Sequence, residues 1–477
     1  MHFHKILPKQ RCERKLDKKA RGQQARFLQS WVQIILLKTT FIHNRWYSAD
    51  CAGALGTTTT LVEVERETMT EEFHRIRRLP PYVFEHINPI KAAARAAGTD
   101  IIDLGMGNPD LPTPKHIVEK LQETVMDPRT HRYSASQGIP GLRKAQASYY
   151  GRRFGVKLDP DTQVVATLGS KEGFANMASA ITAPGDVVLV PNPTYPIHSF
   201  GFIMSGGVVR SMPAEPNEHF FEALDRSVRH SIPKPIALIL NYPSNPTAYV
   251  ADLDFYKRVV EYCKKHEIFI LSDLAYSEIY FDDTPPPSIL EVPGAMDIAV
   301  EFTSMSKTFS MPGWRMGFAV GNERLIKALK RVKSYLDYGA FTPIQVAAAA
   351  ALNGPDDCVA EVRKIYKHRR DVLVDSFARA GWDVTPPPAT MFAWTPIPDK
   401  FAHLGSVEFA KMLIQEADVA VAPGLGFGEY GEGFVRIGLV ENEQRIRQAR
   451  HTRQQGRIRR RHAIHRQRIE IRHRVIP

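Results

Sequence analysis

The chain is predicted to fold as an α/β protein, a mostly parallel sheet covered by helices on both faces, with a smaller second domain beside it. Three observations point there. Apolar β-branched runs at residues 164–168, 187–190, 236–240, 268–271 and 298–302 alternate with helical patterns such as residues 253–265, the rhythm of repeated strand–helix–strand units. The first four runs are bounded by Gly, Pro, Asn or Asp, so each strand gives way to a loop. A length of 477 residues, 43% hydrophobic and 24% charged, suffices for a full core and for one large and one smaller domain.

The ends read differently from the middle. Residues 1–68 hold a basic run, an apolar stretch at 31–37 that Lys38 interrupts, and threonines at 57–60. The apolar part is too short to span a membrane, and the basic stretch is too long for a signal peptide, while a transit peptide stays open. The working chain is expected to start near Met69, with residues 1–68 a disordered or non-native extension. At the other end, residues 443–447 begin an amphipathic helix, but from Arg450 the apolar period is lost and arginine dominates. A shifted reading frame is expected over 450–477, with a genuine basic tail as the alternative.

Charge follows the same division. Residues 1–68 carry 12 Lys+Arg against 6 Asp+Glu and residues 450–477 carry 10 Arg against one Glu, so of the formal +12 the ends account for +15 and residues 69–449 for −3. The basicity therefore gives no reason to expect a nucleic-acid partner for the folded part. The four cysteines, Cys12, Cys51, Cys263 and Cys358, are far apart and show no metal-ligand spacing; neither a disulfide framework nor a metal site is expected, and a reducing cytoplasm fits.

In a parallel sheet ligands collect beyond the carboxyl ends of the strands, and those ends carry polar loops. After the run at 298–302 comes Ser304-Met305-Ser306-Lys307, followed by Arg315. A lysine can bond covalently to an aldehyde, and nearby hydroxyls with a guanidinium can hold a phosphate that fixes the aldehyde's carrier. Alone, the string also reads as a basic surface loop. Gly169-Ser170-Lys171 opens a helix, an anion site in which a first-turn lysine is favoured only beside an anion; a Gly-Ser cap with a solvated lysine is the plainer reading. Asp273 follows the strand at 268–271, where a carboxylate can keep a pyridine nitrogen protonated, although most such aspartates simply cap the next helix. Tyr276 and Asn245 can hydrogen-bond a ring hydroxyl, and Tyr195 can stack on a ring face or merely pack between its two prolines. Arg436 lies in an otherwise apolar strand pattern at 434–439; its fork suits an α-carboxylate, with an internal Asp or Glu as the ordinary alternative. The string Gly426-Phe427-Gly428-Glu429-Tyr430-Gly431 matches G-x-G-x-x-G but precedes a strand, so no dinucleotide site is expected.

Together these loops resemble the class I/II aminotransferases of the pyridoxal-phosphate fold type I superfamily, from about Arg75 to Ala449. The segments 78–84 (RLPPYVF), 105–110 (GMGNPD), 169–173 (GSKEG) and 333–335 with 341–343 look most like the bacterial alanine (glutamate-pyruvate) transaminase group. The resemblance implies a large domain with a seven-stranded sheet at 115–345, and a small α+β domain built from 346–449 with part of an N-terminal arm, 69–114. It implies pyridoxal 5'-phosphate as cofactor, with Lys307 as its covalent anchor, Asp273 at the pyridine nitrogen, and Asn245 and Tyr276 at the ring oxygen. Ser170, Lys171, Ser304, Ser306 and Arg315 are implied around the phosphate, Tyr195 over the ring, and Arg436 with the Gly107 backbone at the substrate carboxylate. Tyr133 matches the tyrosine that family members lend to the neighbouring subunit's phosphate, which implies a homodimer with shared active sites acting on small amino and keto acids.

Two rivals stand beside that expectation. One keeps the fold and changes the reaction, to a pyridoxal-phosphate lyase or a transaminase of diaminopimelate, methionine or aromatic acids. The other is a regulator with residues 1–68 as a DNA-binding module, but those residues lack a helix-turn-helix pattern.

Overall fold

The computed structural model describes Phe73, residues 76–80 and residues 83–449; the readings of residues 1–68 and 450–477 lie outside them. Strand β1 (Ile102–Asp103) is followed by seven strands that make one sheet. These are β2 (Val164–Thr167), β3 (Val187–Asn192), β4 (Val208–Pro213), β5 (Pro235–Asn241), β6 (Phe269–Asp273), β7 (Ala299–Ser304) and β8 (Gly317–Gly321), in the order β2-β8-β7-β6-β5-β3-β4. Every pairing is parallel except those of β8, which runs against both β2 and β7.

The alternation of side chains across this sheet explains its apolar strands. In β5, Leu238 and Leu240 enter one core while Ala237 and Ile239 enter the other, so a strand buried on both faces reads as a continuous hydrophobic run. The helix predicted over 253–265 is Leu253–His266, started by Asp252, whose carboxylate accepts from Phe255 N at 2.7 Å, and stopped at Glu267 in the left-handed region. Two strands escape the sequence pattern for physical reasons. β4 lies at the sheet edge with only Met212 buried, so it carries Arg210 and Ser211 in place of an apolar run. β8 is five residues between glycines and reads as an extension of the lysine loop.

A second core gathers residues from the two flanks of the large sheet, among them Ile87, Ile102, Phe377, Phe409, Ile437 and Ile446. Here β9 (Phe392–Pro396), β11 (Ala422–Pro423) and β12 (Phe434–Gly438) form an antiparallel sheet, and β10 (Val419–Ala420) pairs with β1. The helix that the sequence starts at Glu443 does start there: Asn442 accepts from Arg445 N at 3.0 Å, and Ile446 is fully buried. Among the described residues no helix is long and apolar enough to cross a membrane.

Because β8 is the single reversed strand, the carboxyl ends of β2, β3, β5, β6 and β7 share one edge with the start of β8. The loops leaving those ends face the second core, and the polar strings singled out in the sequence are those loops.

Candidate active site

A cleft of about 640 Å³ opens along that edge. Twelve of the thirteen residues singled out in the sequence line it: Gly107, Ser170, Lys171, Tyr195, Asn245, Asp273, Tyr276, Ser304, Ser306, Lys307, Arg315 and Arg436. Tyr133 does not; it is 86% exposed and packs against Tyr338, ring centroids 4.7 Å apart.

Lys307 sits in the short helix Met305–Thr308, which Ser304 caps by accepting from Ser306 N at 3.2 Å. Its Nζ donates to Gly107 O at 3.0 Å. Burial, then the nearby charges of Arg436 and Arg315, lower its pKa from the ordinary 10.5 to about 8, against the opposite pull of Asp273. An appreciable fraction of the amine is therefore neutral and nucleophilic near neutral pH. Burial likewise raises the Tyr276 phenol well above its usual range, and that ring meets the edge of Phe392 at 5.7 Å between centroids.

Asp273 ends β6. Its Oδ1 accepts from Ala275 N at 3.1 Å within a turn; no helix starts there, so the helix-capping reading does not hold. The other oxygen lies 2.9 Å from His198 Nε2, and His198 Nδ1 lies 2.7 Å from the Thr194 hydroxyl. A carboxylate only accepts, so the ring donates to it through Nε2. His198 is completely buried and was missed in the sequence; its one signal there is a single titratable residue in the apolar helix Ile197–Met204.

At the other end of the cleft, helix Ser170–Ile181 begins at Gly169 without a side-chain cap, leaving its first amides to an outside acceptor. Arg315, in the left-handed region at φ 56, folds its guanidinium back to donate to Leu168 O at 3.1 Å and Pro312 O at 2.9 Å. Gly169, at φ +85, makes room for it: a Cβ there would stand 2.4 Å from Arg315 Nη2. Uncapped amides, the cations of Lys171 and Arg315 and the hydroxyls of Ser170, Ser304 and Ser306 around one space fit a phosphate ester.

Arg436 rises from β12, buried, with Nη1 donating to Asn245 Oδ1 at 2.7 Å and Nη2 to Gly105 O at 3.4 Å. Its Cζ lies 4.0 Å from the Phe392 ring centroid and 4.6 Å from that of Phe427, so aromatic faces hold the guanidinium in place. Gly107 keeps the space beside it open, since a Cβ would come to 3.1 Å from Arg436 Nη2. The glycine string at 426–431 lies in two short 3-10 turns, Gly424–Phe427 and Glu429–Gly431, which excludes the strand–turn–helix of a dinucleotide site.

Comparison with known proteins shows the family. The sequence profile of the family described as aminotransferase class I and II matches residues 99–451. AatC, a Rhizobium meliloti protein, is 77% identical over 379 residues, 80% of this chain and 94% of that one. The glutamate-pyruvate aminotransferase AlaC of Escherichia coli is 52% identical over 377 residues, 79% of this chain and 92% of AlaC. An LL-diaminopimelate aminotransferase of Desulforudis audaxviator is 44% identical over 378 residues, 79% and 96% of the two chains. Among solved structures, BacF from Bacillus subtilis superposes with a TM-score of 0.75 at 37% identity, covering 79% of this chain and 95% of BacF. With an amine, a carboxylate and an open phosphate cradle at the mouth of such a sheet, the chain belongs to the class I and II aminotransferases, pyridoxal-phosphate-dependent enzymes of fold type I.

Proposed function

We propose that the protein moves an amino group between glutamate and pyruvate, yielding 2-oxoglutarate and alanine, and the reverse. The observation that carries this reading is the Arg436–Asn245 pair, 2.7 Å apart and joined through Gly105 and Gly107 to the amine of Lys307. The 52% identity to AlaC, against 44% to an LL-diaminopimelate enzyme, supports glutamate and pyruvate as the pair.

Bound pyridoxal phosphate supplies an aldehyde that takes up an amine and a ring that accepts electrons from the substrate's α-carbon. Lys307 would anchor it through Nζ and, when free, would accept the α-proton on the same atom; the depressed pKa enlarges the neutral, basic fraction of that nitrogen near neutral pH. Asp273, oriented by His198, holds a proton at the pyridine nitrogen. Asn245 and Tyr276 bind the ring oxygen, Tyr195 covers the ring, and Ser170, Lys171, Ser304, Ser306 and Arg315 bind the phosphate. Arg436 binds the substrate α-carboxylate with its planar fork beside the open backbone of Gly107. Both substrates use one site in turn, so the kinetics are ping-pong.

The same reading makes the enzyme a cytoplasmic homodimer. Tyr133 stands off its own cleft and packs on the exposed Tyr338, with exposed Phe341 against the nearby His131; a second copy would cover that apolar surface and receive Tyr133 at its phosphate.

Purified protein loaded with pyridoxal phosphate and given alanine plus 2-oxoglutarate tests the reading. Formation of pyruvate and glutamate is the expected result. Turnover of LL-diaminopimelate or an aromatic amino acid with no turnover of alanine would overturn the specificity.

A further inference from the structure

Five cationic side chains line the cleft, Lys91, Lys171, Lys307, Arg315 and Arg436, and among its described lining residues Asp273 is the one carboxylate. The reading above uses four of the five. Lys91 remains, on the helix Phe84–Ala96 and only 6% exposed.

A buried ammonium is costly without compensation, and Lys91 has it from behind. Its Nζ donates to Asp103 Oδ2 at 3.0 Å, and Arg95 Nη2 donates to the same oxygen at 3.0 Å. One carboxylate thus serves two cations, and the trio keeps a net positive charge. The ammonium has three N–H donors, and the bond to Asp103 uses one of them.

Lys91 is also tied by position to the reacting groups. Asp103 Oδ1 accepts from Gly105 N at 3.2 Å, while Gly105 O accepts from Arg436 Nη2 at 3.4 Å. A single residue of backbone therefore bridges the Lys91–Asp103 pair and the guanidinium read as the α-carboxylate site. Beyond it, Asn88, Lys91 and Met106 are shared with an adjoining cavity of about 480 Å³ whose further walls include Arg95, Asp103 and Glu441; the acidic pair there turns a substrate carboxylate back to the cleft side of Lys91.

We infer that Lys91 is the subsite for the side-chain carboxylate of the dicarboxylic substrates, glutamate and 2-oxoglutarate. This rests on the glutamate–pyruvate reading above. An enzyme that alternates between a dicarboxylic and a small monocarboxylic substrate needs a cation whose charge is tolerable in both states. Asp103 meets that need: it compensates Lys91 when alanine or pyruvate is bound, and Arg95 offsets Asp103 when a substrate carboxylate draws on the ammonium.

The test is steady-state kinetics of Lys91→Met with each substrate varied separately. Loss of a charge-assisted hydrogen bond is expected to raise KM for glutamate and 2-oxoglutarate about tenfold to a hundredfold, with KM for alanine and pyruvate within about twofold. Equal change for all four substrates, or no change for the dicarboxylic pair, overturns the inference. Should the variant fold poorly, the loaded wild-type enzyme decides: glutarate should inhibit at least about tenfold more strongly than butyrate, and equal inhibition overturns it. A wild-type enzyme that uses no dicarboxylic substrate brings down this inference and the function reading together, whereas a uniform loss in Lys91→Met alone brings down only this one.

Discussion

His198 Nε2 stands 2.9 Å from Asp273 Oδ2, although 75 residues separate the two in the chain. The histidine is held in turn by the Thr194 hydroxyl, and Thr194 N donates to Phe427 O at 2.8 Å. The orientation of the carboxylate at the end of β6 is thus set from a neighbouring loop. His198 acts through Asp273 and is a positioning residue.

Replacing it tests that role. His198→Phe keeps the ring volume in an apolar surrounding and removes the donor, leaving Asp273 with Ala275 N. A fall in kcat of about tenfold to a hundredfold is expected, the loss of one hydrogen bond to a charged group, with little change in KM for either substrate. The visible spectrum of the loaded protein should also titrate at a different pH from wild type, because the proton on the pyridine nitrogen is held less firmly. Unchanged titration with reduced kcat would mark a merely structural residue.

The pKa of Lys307, lowered to about 8 by burial and by Arg436 and Arg315, has a sign that can be checked without turnover. The neutral amine is the reactive form. Stopped-flow uptake of pyridoxal phosphate by the apo protein should therefore speed up as pH rises and level off above about 8, where an ordinary lysine would go on gaining beyond pH 10. Arg436→Gln removes one of the cations that depress the value, so its midpoint should move to higher pH. Lys307→Ala should bind the cofactor without the covalent spectral change and should not turn over; retained activity would remove Lys307 from the reaction.

How much of this was legible beforehand depended on whether a signal was local. Lys307, Asp273 and Ser170–Lys171 end or follow apolar runs, so the strand pattern alone brings them to one edge. Arg436 meets Asn245 across 191 residues, and no spacing predicts that contact; a lone guanidinium in an apolar strand only hints that a partner exists. His198 and Lys91 escaped because a histidine in an apolar helix and a lysine in a helix of mixed polarity each have commoner explanations. Strand β4 escaped because an edge strand needs no continuous apolar run, and β8 because its buried run is only Phe318, Ala319 and Val320 between two glycines, too short to stand apart from the lysine loop.

Glu301 makes a prediction about stability that is independent of the cleft. It lies fully buried in the middle of β7 and accepts from Tyr150 OH at 2.9 Å, Ser288 Oγ at 2.5 Å, Ser272 Oγ at 3.2 Å and Ile289 N at 3.2 Å. Burial outweighs these donors and raises its pKa from 4.5 to about 7. The folded protein then binds a proton that the unfolded chain has already released between those two values. Its contribution is present below about pH 4.5 and is lost as pH rises through about 7, on the order of 3 kcal/mol over the window. Denaturant unfolding of Glu301→Gln and wild type at pH 5 and pH 8 should show the variant gaining on wild type at the higher pH by a few kcal/mol. A difference independent of pH would mean that Glu301 is ionised throughout.

Gly169 links backbone shape to cofactor binding. At φ +85 the position is one that L side chains rarely adopt, and a Cβ would lie 2.4 Å from Arg315 Nη2. Gly169→Ala therefore carries two costs, about 1 kcal/mol or more for a positive-φ, extended backbone region that is essentially glycine's and the displacement of the guanidinium from Leu168 O. Both fall on the end of the cleft proposed to hold the phosphate, and Gly169 itself is far in sequence from Lys307 and Arg436. Affinity for pyridoxal phosphate, read from the rise of visible absorbance on titrating the apo protein, should drop by about tenfold or more, while KM for alanine in the saturated enzyme stays close to wild type. Losing the contact without adding backbone strain separates the two causes: Arg315→Lys beside the native Gly169 keeps the charge but loses the fork, and should weaken cofactor binding while leaving folding stability unchanged. If Arg315→Lys binds the cofactor as wild type does and Gly169→Ala does not, the glycine serves the turn alone and the guanidinium is not part of the phosphate cradle.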